Sequence, residues 1–264
     1  MGLLSGPPGF LRLTLRHTLR RQYHISRPLW SDSIDGKSAP AGYPEPSSRA
    51  PMIYPEPSSS EHHDLASFLE YAERVQLSET STVFVGTRYE YRAAASLADY
   101  GFSLRRTGQA GDRGIDLLGT WSVPSTPHPL RVLVQCKATK KATPSWIREL
   151  EGAFAGAPPG WRGTSVLGLL VTDMHATNGI RKALVDSHWP MGFIFLSRKG
   201  EVLQMLWNYK AGEQGLTGMG VSKRYSLAQD GETLDHKVLL TWQGRQLPLI
   251  QSTSATSPAG TESS

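Results

Sequence analysis

The sequence predicts an α/β domain in which helices flank a mixed β-sheet. Two almost wholly apolar runs, Val166–Thr172 and Met191–Leu196, are typical of strands buried on both faces. A segment with helical spacing of apolar residues precedes each run, and three strand-like segments lie earlier, between residues 102 and 139. Strands that come first as a group and then alternate with helices predict a mixed sheet with helices on its faces.

Two amphipathic helices are predicted ahead of the sheet. Apolar residues recur at three- and four-residue spacing from residue 64, which predicts a helix that ends near Gln76. A second helix is predicted to begin at Thr87, because Thr87 and Glu90 have capping-box spacing, and to continue to Gly101. Glu90 therefore has a sufficient structural role, although its position also allows it to face a site on the sheet.

A glycine-rich turn is predicted between the first two strands of the sheet. Gly108, Gly111 and Gly114 could suggest a phosphate-binding loop, but a dinucleotide fingerprint needs a helix after the glycines, and a strand follows here. A hairpin turn is therefore favoured. The predicted strands are residues 102–106, 115–121 and 131–139, and the predicted helices that follow them are residues 145–154 and 178–188.

The C-terminal third of the domain gives weaker signals. Residues 201–209 are apolar enough to pack on the core as a helix or a strand. Residues 210–235 are polar and glycine-rich and give little basis for assignment. Residues 236–242 alternate weakly and predict an added edge strand.

Composition and charge exclude several classes of protein. The single cysteine, Cys136, excludes a disulfide framework and a zinc site built from several cysteines. No apolar run approaches the roughly 20 residues that span a bilayer, so no membrane span is predicted. The formal net charge is +5, but five arginines lie within residues 1–27 and leave the rest near neutrality. Overall basicity is therefore no argument for nucleic-acid binding.

The N-terminal segment, residues 1–27, predicts a mitochondrial transit peptide and hence a protein of the mitochondrial matrix. It is rich in arginine, contains hydroxyl residues and no acids, and has a basic and an apolar face when wound as a helix. Cleavage is predicted just after Tyr23. The alternatives are an unstructured basic tail and an amphipathic anchor on a membrane surface.

The rest of the chain divides into three parts by composition. Residues 28–63 are rich in Pro, Ser and Gly, contain the hexapeptide Tyr-Pro-Glu-Pro-Ser-Ser at 43–48 and 54–59, and predict a disordered linker. The duplication is interpreted as local slippage or as a proline-motif ligand. Residues 64–250 carry the predicted α/β domain, and the polar residues 251–264 predict a disordered tail.

Three polar side chains interrupt the strands around the glycine turn. By strand alternation Asp116 shares a face with Leu118, and Ile115 and Leu117 lie on the opposite face. Gln135 shares a face with Lys137, opposite Cys136. If the strands pair, Asp116, Gln135 and Lys137 can converge at one end of the sheet. Carboxylate and amide oxygens suit Mg²⁺, and a lysine can orient or deprotonate an attacking water. The alternative is a cross-strand ion pair between Asp116 and Lys137, with Gln135 solvated beside it.

Other candidate residues carry weaker signals. Cys136 lies mid-strand on the apolar face, with no histidine signature nearby, which argues against a nucleophile. His62 and His63 open a helix and are interpreted as solvated residues rather than as a pair of ligands. Four basic residues lie near the predicted site in sequence and could hold phosphates, but a solvated surface explains each of them equally well: Arg88, Arg113, Lys140 and Lys141.

Together these residues carry a resemblance to a known superfamily. Glu90 on a leading helix, Gly108-x-x-Gly111-Asp112-x-Gly114-Ile115-Asp116, and Gln135-Cys136-Lys137 resemble the PD-(D/E)xK nucleases, specifically the Mrr-like restriction endonuclease branch, over about residues 83–196. With its arginine-rich leader and the helix start Gly86-Thr87-Arg88-Tyr89-Glu90-Tyr91, the chain is also similar to a fungal mitochondrial family named for being required for respiratory growth (its seventh member).

The resemblance implies a restriction-endonuclease-like core and a metal-dependent endonuclease that hydrolyses DNA, supporting mitochondrial genome maintenance and respiratory growth. It implies Mg²⁺ or Mn²⁺ as cofactor, with Asp116 as principal ligand, Gln135 in the place usually held by Glu or Asp, and the Cys136 carbonyl as a further ligand. Lys137 would be the catalytic lysine, and Glu90 would assist. Because an amide brings no negative charge, Gln135 implies a lower metal affinity. DNA is the expected partner, with RNA and a homodimer left open.

Two alternatives of other classes remain at this point. The first is a catalytically silent nucleic-acid-binding or assembly factor that keeps the nuclease fold. The second is an α/β protein without nuclease function, in which the hairpin is only a charged edge of the sheet.

Overall fold

The structure of the chain is a computed structural model that describes residues 54–55, 59–107, 114–139, 141–163, 165–227 and 234–250. All of them belong to one unit, Ser48–Ser264. The predicted transit peptide, the predicted tail, most of the predicted linker and the glycines at 108 and 111 lie outside the described residues.

Two helices precede the sheet, α1 (Leu65–Arg74) and α2 (Thr82–Ala98). The prediction that the second helix begins at Thr87 is wrong. Ser81 caps α2, because its side chain accepts a hydrogen bond from the Phe84 N–H at 3.1 Å. Thr87 is buried in the second turn, so it and Glu90 form no capping box. Burial of Phe84 against α1 stabilises the additional turn that sequence spacing left out.

The predicted mixed sheet with flanking helices is confirmed. Six strands lie side by side in chain order, with antiparallel pairing among the first three, parallel pairing through the next two, and an antiparallel last strand. The elements are β1 (Phe102–Arg106), β2 (Leu117–Trp121), β3 (Leu130–Lys137), α3 (Ser145–Gly156), β4 (Val166–Thr172), α4 (Asn178–Asp186), β5 (Met191–Leu196) and β6 (Val202–Trp207).

The chain beyond β6 forms a second, smaller sheet. A short helix, α5 (Tyr209–Ala211), runs into a π-helical turn and leads to the hairpin of β7 (Met219–Leu227) and β8 (Leu234–Trp242), followed by β9 (Arg245–Gln246). The predicted strand at 236–242 is confirmed as part of β8, but the prediction that it is an edge strand is wrong. These residues lie in β8, which pairs with β7 and β9, while Val238 and Leu240 pack into the core beneath α2.

The main sheet separates two apolar cores. Val132 and Val134 of β3 are buried on the α2 side, in the same core as Leu97. Leu133 points the other way, into the core covered by α3 and α4. Full burial of each such side chain stabilises the fold by about 1.5–3 kcal/mol. Because β3 alternates strictly, its two faces deliver different side chains to the two helical layers.

Within the described residues, no helix combines the length and the hydrophobicity that crossing a bilayer requires.

Candidate functional site

Asp116 lies where the first three strands meet. Its backbone N–H donates to the Val134 carbonyl of β3 at 2.9 Å, and its own carbonyl accepts from the Thr107 N–H at 2.8 Å. Its carboxylate Oδ2 accepts a hydrogen bond from the Cys136 N–H at 2.6 Å. A hydrogen bond to a carboxylate is shorter and stronger than one between neutral groups. The Asp116 side chain is therefore fixed against the end of β3 that carries Gln135 and Lys137.

The predicted alternation of side chains does not hold at the start of β2. Sequence alternation put Ile115 with Leu117, opposite Leu118, but Ile115 packs in the same core as Leu118. Leu117 lies in the core on the α2 side. Regular alternation begins only at Leu117, because the preceding backbone is still leaving the turn, where Gly114 has φ of +80°.

Gln135 is the most informative residue of the hairpin. Its side chain is only 4% exposed, and Oε1 is one of two buried side-chain atoms in the described ranges without a hydrogen-bond partner. An unpartnered buried acceptor costs roughly 1–3 kcal/mol. The amide packs against Gly114, where an added Cβ would stand 2.7 Å from Nε2. The solvated Gln135 of the ion-pair alternative is therefore wrong, and Oε1 is an acceptor suited to a ligand.

Lys137 is held by a residue that the sequence did not single out. Its Nζ lies 3.2 Å from Oε2 of Glu149 on α3, and the two side chains are 28% and 47% exposed. The alternative of an Asp116–Lys137 ion pair is therefore wrong. Glu149 follows Trp146 by three residues on the predicted helix, which indicates a position beside the buried face, but nothing in that spacing identifies its partner.

Glu90 also has a partner from another element. Its Oε2 accepts from Nε of Arg106, the last residue of β1, and both side chains are 14% exposed. The Arg106 guanidinium lies 5.6 Å from the ring centroid of Tyr91. The Tyr91 hydroxyl is in turn hydrogen-bonded to Nδ1 of His62 at 2.8 Å. His62 is buried, so its predicted solvation is wrong.

The Cys136 side chain lies on the α2 side of the sheet, as predicted. Burial raises the pKa of its thiol well above the ordinary value, and the negative charges of Asp116 and then Glu90 raise this pKa further. A raised pKa disfavours the thiolate, which is the reactive form. The same effect indicates that both carboxylates lie within electrostatic reach of one sulfur atom.

The oxygen donors of the predicted site are of the kind that a hard divalent cation binds, and only one of them, the Asp116 carboxylate, carries a negative charge. In the described part of the chain, no group of three or more His, Cys, Asp or Glu side chains could hold a metal ion. Asp116 contributes a carboxylate beside β3, Gln135 contributes its unpartnered Oε1, and Cys136, the residue after Gln135, has a backbone carbonyl. Carboxylate, amide and carbonyl oxygens are the donors that Mg²⁺ and Mn²⁺ take.

The structure does not bring all the predicted site residues to one face. Asp116 is bonded to β3 next to Gln135, and Lys137 faces α3 through Glu149. Glu90 belongs to α2, which packs on the opposite face of the sheet.

Comparison with known proteins identifies relatives but no structural template. Residues 81–129 and 123–225 match the profile of the family described as Required for respiratory growth protein 7. An uncharacterized mitochondrial protein of Schizosaccharomyces pombe is 33% identical over 155 residues, which cover 57% of this chain and 61% of that protein. No solved structure matches.

Two further relatives carry the family's name. Required for respiratory growth protein 7, mitochondrial, of Saccharomyces cerevisiae is 32% identical over 117 residues, with 28% of this chain and 48% of the relative covered. The protein of the same name from Lachancea thermotolerans is 28% identical over 216 residues, with 61% and 83% covered. The match thus spans 61% and 48% of the S. pombe and S. cerevisiae proteins. All three names include "mitochondrial", which confirms the predicted compartment, while the matrix stays a prediction.

Proposed function

The chain belongs to the family of Required for respiratory growth protein 7, and we propose that this mitochondrial protein is a metal-dependent endonuclease that hydrolyses phosphodiester bonds in DNA. Relatives are named for a requirement in respiratory growth. Cleavage of mitochondrial DNA during its maintenance would connect the activity to that requirement. One observation carries the proposal: Gln135 Oε1 is buried without a hydrogen-bond partner, one residue before the Cys136 N–H that binds the Asp116 carboxylate.

Asp116 and Gln135 would hold the cation, with the Cys136 carbonyl as a further oxygen donor. A bound Mg²⁺ or Mn²⁺ supplies charge neutralisation at the phosphate and lowers the pKa of a bound water. The 2.6 Å hydrogen bond from the Cys136 N–H fixes the Asp116 carboxylate before a ligand arrives. Because Gln135 is neutral, the site would bear one fewer negative charge than a site with two carboxylates, and weaker metal binding is expected.

Lys137 is suited to orient the water and the phosphate. Its ammonium has three N–H donors, so the contact with Glu149 leaves donors for a water oxygen and a phosphate oxygen. In hydrolysis the water oxygen forms a bond to phosphorus, and the bond from phosphorus to the departing sugar oxygen breaks. The water gives up one proton to solvent, and the departing oxygen takes one proton from solvent.

The test uses the purified full chain on supercoiled plasmid DNA with Mg²⁺ or Mn²⁺. Wild type should nick the plasmid, and Asp116→Ala and Lys137→Ala should each slow nicking by about 100-fold or more, the effect of removing a group that stabilises the transition state. Lys182→Ala and Asp186→Ala are matched controls, because these residues form an exposed ion pair at 3.0 Å on α4. Nicking that survives both site substitutions would refute the assignment.

A second candidate is a catalytically silent nucleic-acid-binding or assembly factor. Two observations favour it: Lys137 forms an ion pair with Glu149, and the Glu90 carboxylate forms an ion pair with Arg106. This candidate predicts salt-sensitive binding of DNA or RNA without turnover, and normal respiratory growth of cells that carry Lys137→Ala. Binding of labelled DNA and RNA at two salt concentrations, measured beside the nicking assay, separates the two candidates.

A further inference from the structure

Thr172, the last residue of β4, carries the second unpartnered buried atom in the described ranges. Its side chain is 0% exposed, and its Oγ1 has no hydrogen-bond partner. Buried hydroxyls are nearly always hydrogen-bonded, because an unpartnered one costs roughly 1–3 kcal/mol. The other such atom is Gln135 Oε1, on the neighbouring strand.

Strand register brings Thr172 beside Lys137. The two residues are direct partners in the parallel pairing of β3 with β4, and such strands lie about 4.8 Å apart. Leu170, two residues before Thr172, packs in the core under α3. Phe195, which pairs with Thr172 on β5, packs against the same core. Thr172 therefore points to the α3 side, the side on which Lys137 meets Glu149.

The two hydrogen-bond acceptors available to Lys137, the Glu149 carboxylate and the Thr172 hydroxyl, differ in their exposure to water. The Glu149 carboxylate is 47% exposed, and its ion pair with Lys137 is 3.2 Å long. Water can solvate this carboxylate when the lysine leaves, so the pair is easily broken. The hydroxyl of Thr172 is buried, cannot be solvated where it lies, and has two acceptor lone pairs. An ammonium that moved inward would satisfy it.

We infer that Thr172 is the positioning residue for Lys137, and that Glu149 holds the lysine in a withdrawn position. In the engaged position Lys137 Nζ donates to Thr172 Oγ1 and directs its remaining N–H groups to the substrate. The consequence for nuclease activity rests on the proposed function. The exchange of partners, in which Lys137 leaves Glu149 for Thr172, does not. Glu149 is then a restraint on the lysine.

A double-mutant cycle in the full chain tests the exchange without reference to activity. In wild type, Thr172→Val removes an unpartnered hydroxyl and should raise the Tm by about 2–4 °C. In the Glu149→Gln background the lysine is released to Thr172, so the same substitution should lower the Tm. Thr172→Ser, which keeps the hydroxyl, should show no reversal of sign between the two backgrounds.

Glu213→Gln provides the matched control. Glu213 pairs with Lys210 at the same distance, 3.2 Å, and with the same exposure, 47%, away from the site. Thr172→Val should raise the Tm in this background as it does in wild type. An effect of the same sign and size in the Glu149→Gln and Glu213→Gln backgrounds overturns the inference.

The nicking assay gives the second readout. Glu149→Gln should speed plasmid nicking. Thr172→Val should slow nicking by about tenfold, the usual effect of losing a residue that orients a functional side chain. Thr172→Ser should recover the wild-type rate. A wild type without nicking refutes the proposed function and leaves the Tm cycle to decide the exchange. A nicking wild type with an unaltered rate in Thr172→Val refutes the positioning role.

Discussion

Replacing Gly114 by alanine should displace Gln135 from its buried position. Gly114 has φ of +80°, and a Cβ there would stand 2.7 Å from Gln135 Nε2. Gly244, in the turn after β8, has φ of +79° and no atom within 4 Å of the corresponding position. The two glycines share a positive φ and differ in the neighbour that a methyl group would meet. Gly244→Ala is therefore a control for backbone strain alone.

The difference between the two variants can be worked from these contacts. A left-handed conformation costs a non-glycine residue about 1–2 kcal/mol, and this applies at both positions. At Gly114 the amide of Gln135 must also rotate away inside a site that is 4% exposed, which adds about 1–3 kcal/mol for disturbed buried polar groups. We expect Gly114→Ala to lower the free energy of unfolding by about 2 kcal/mol more than Gly244→Ala does.

Urea denaturation of the full chain, followed by tryptophan fluorescence, measures this difference. Gln135→Ala removes the atom that the new methyl group would meet, so Gly114→Ala should cost only the strain in that background. The coupling energy between positions 114 and 135 should therefore be about 1–3 kcal/mol. Equal losses for the two glycine variants, or a coupling near zero, would show that Gly114 does not hold Gln135 in place.

Two further predictions concern the polar contacts between α2 and its neighbours. Arg106→Met removes the ion pair of Arg106 with Glu90, whose side chains are both 14% exposed, and should lower the free energy of unfolding by about 3–5 kcal/mol. Combining Glu90→Gln with Arg106→Met should restore most of this loss. Urea denaturation checks this, and additive effects would contradict it. Burial, and then Arg106, lowers the pKa of His62 from its ordinary 6.5, so His62 contributes stability above pH 6.5 that is lost as pH falls through the folded-state pKa. His62→Phe should lack this loss in thermal unfolding between about pH 7 and about pH 5; parallel profiles would refute the assignment.

Much of the sheet could be predicted because burial leaves a local pattern. The predicted bounds of β4 and β5 agree with the structure to the residue, since both strands are apolar almost throughout and lie in the middle of the sheet. The start of α2 could not be predicted in this way. Ser81 and Thr87 are both competent N-caps, and the choice between them depends on Phe84 packing against α1.

The sequence by itself determined the mixed α/β class, the family and the polar residues of the hairpin, because periodicity, burial and motif spacing are local properties of the chain. Only the tertiary structure decided the partners: Arg106 for Glu90, Glu149 for Lys137, and no hydrogen bond for Gln135 Oε1 or Thr172 Oγ1 among the residues it describes. Partner choice depends on how α2 and α3 pack on opposite faces of the sheet. Many charged residues have equivalent local spacing, and packing decides which of them meet.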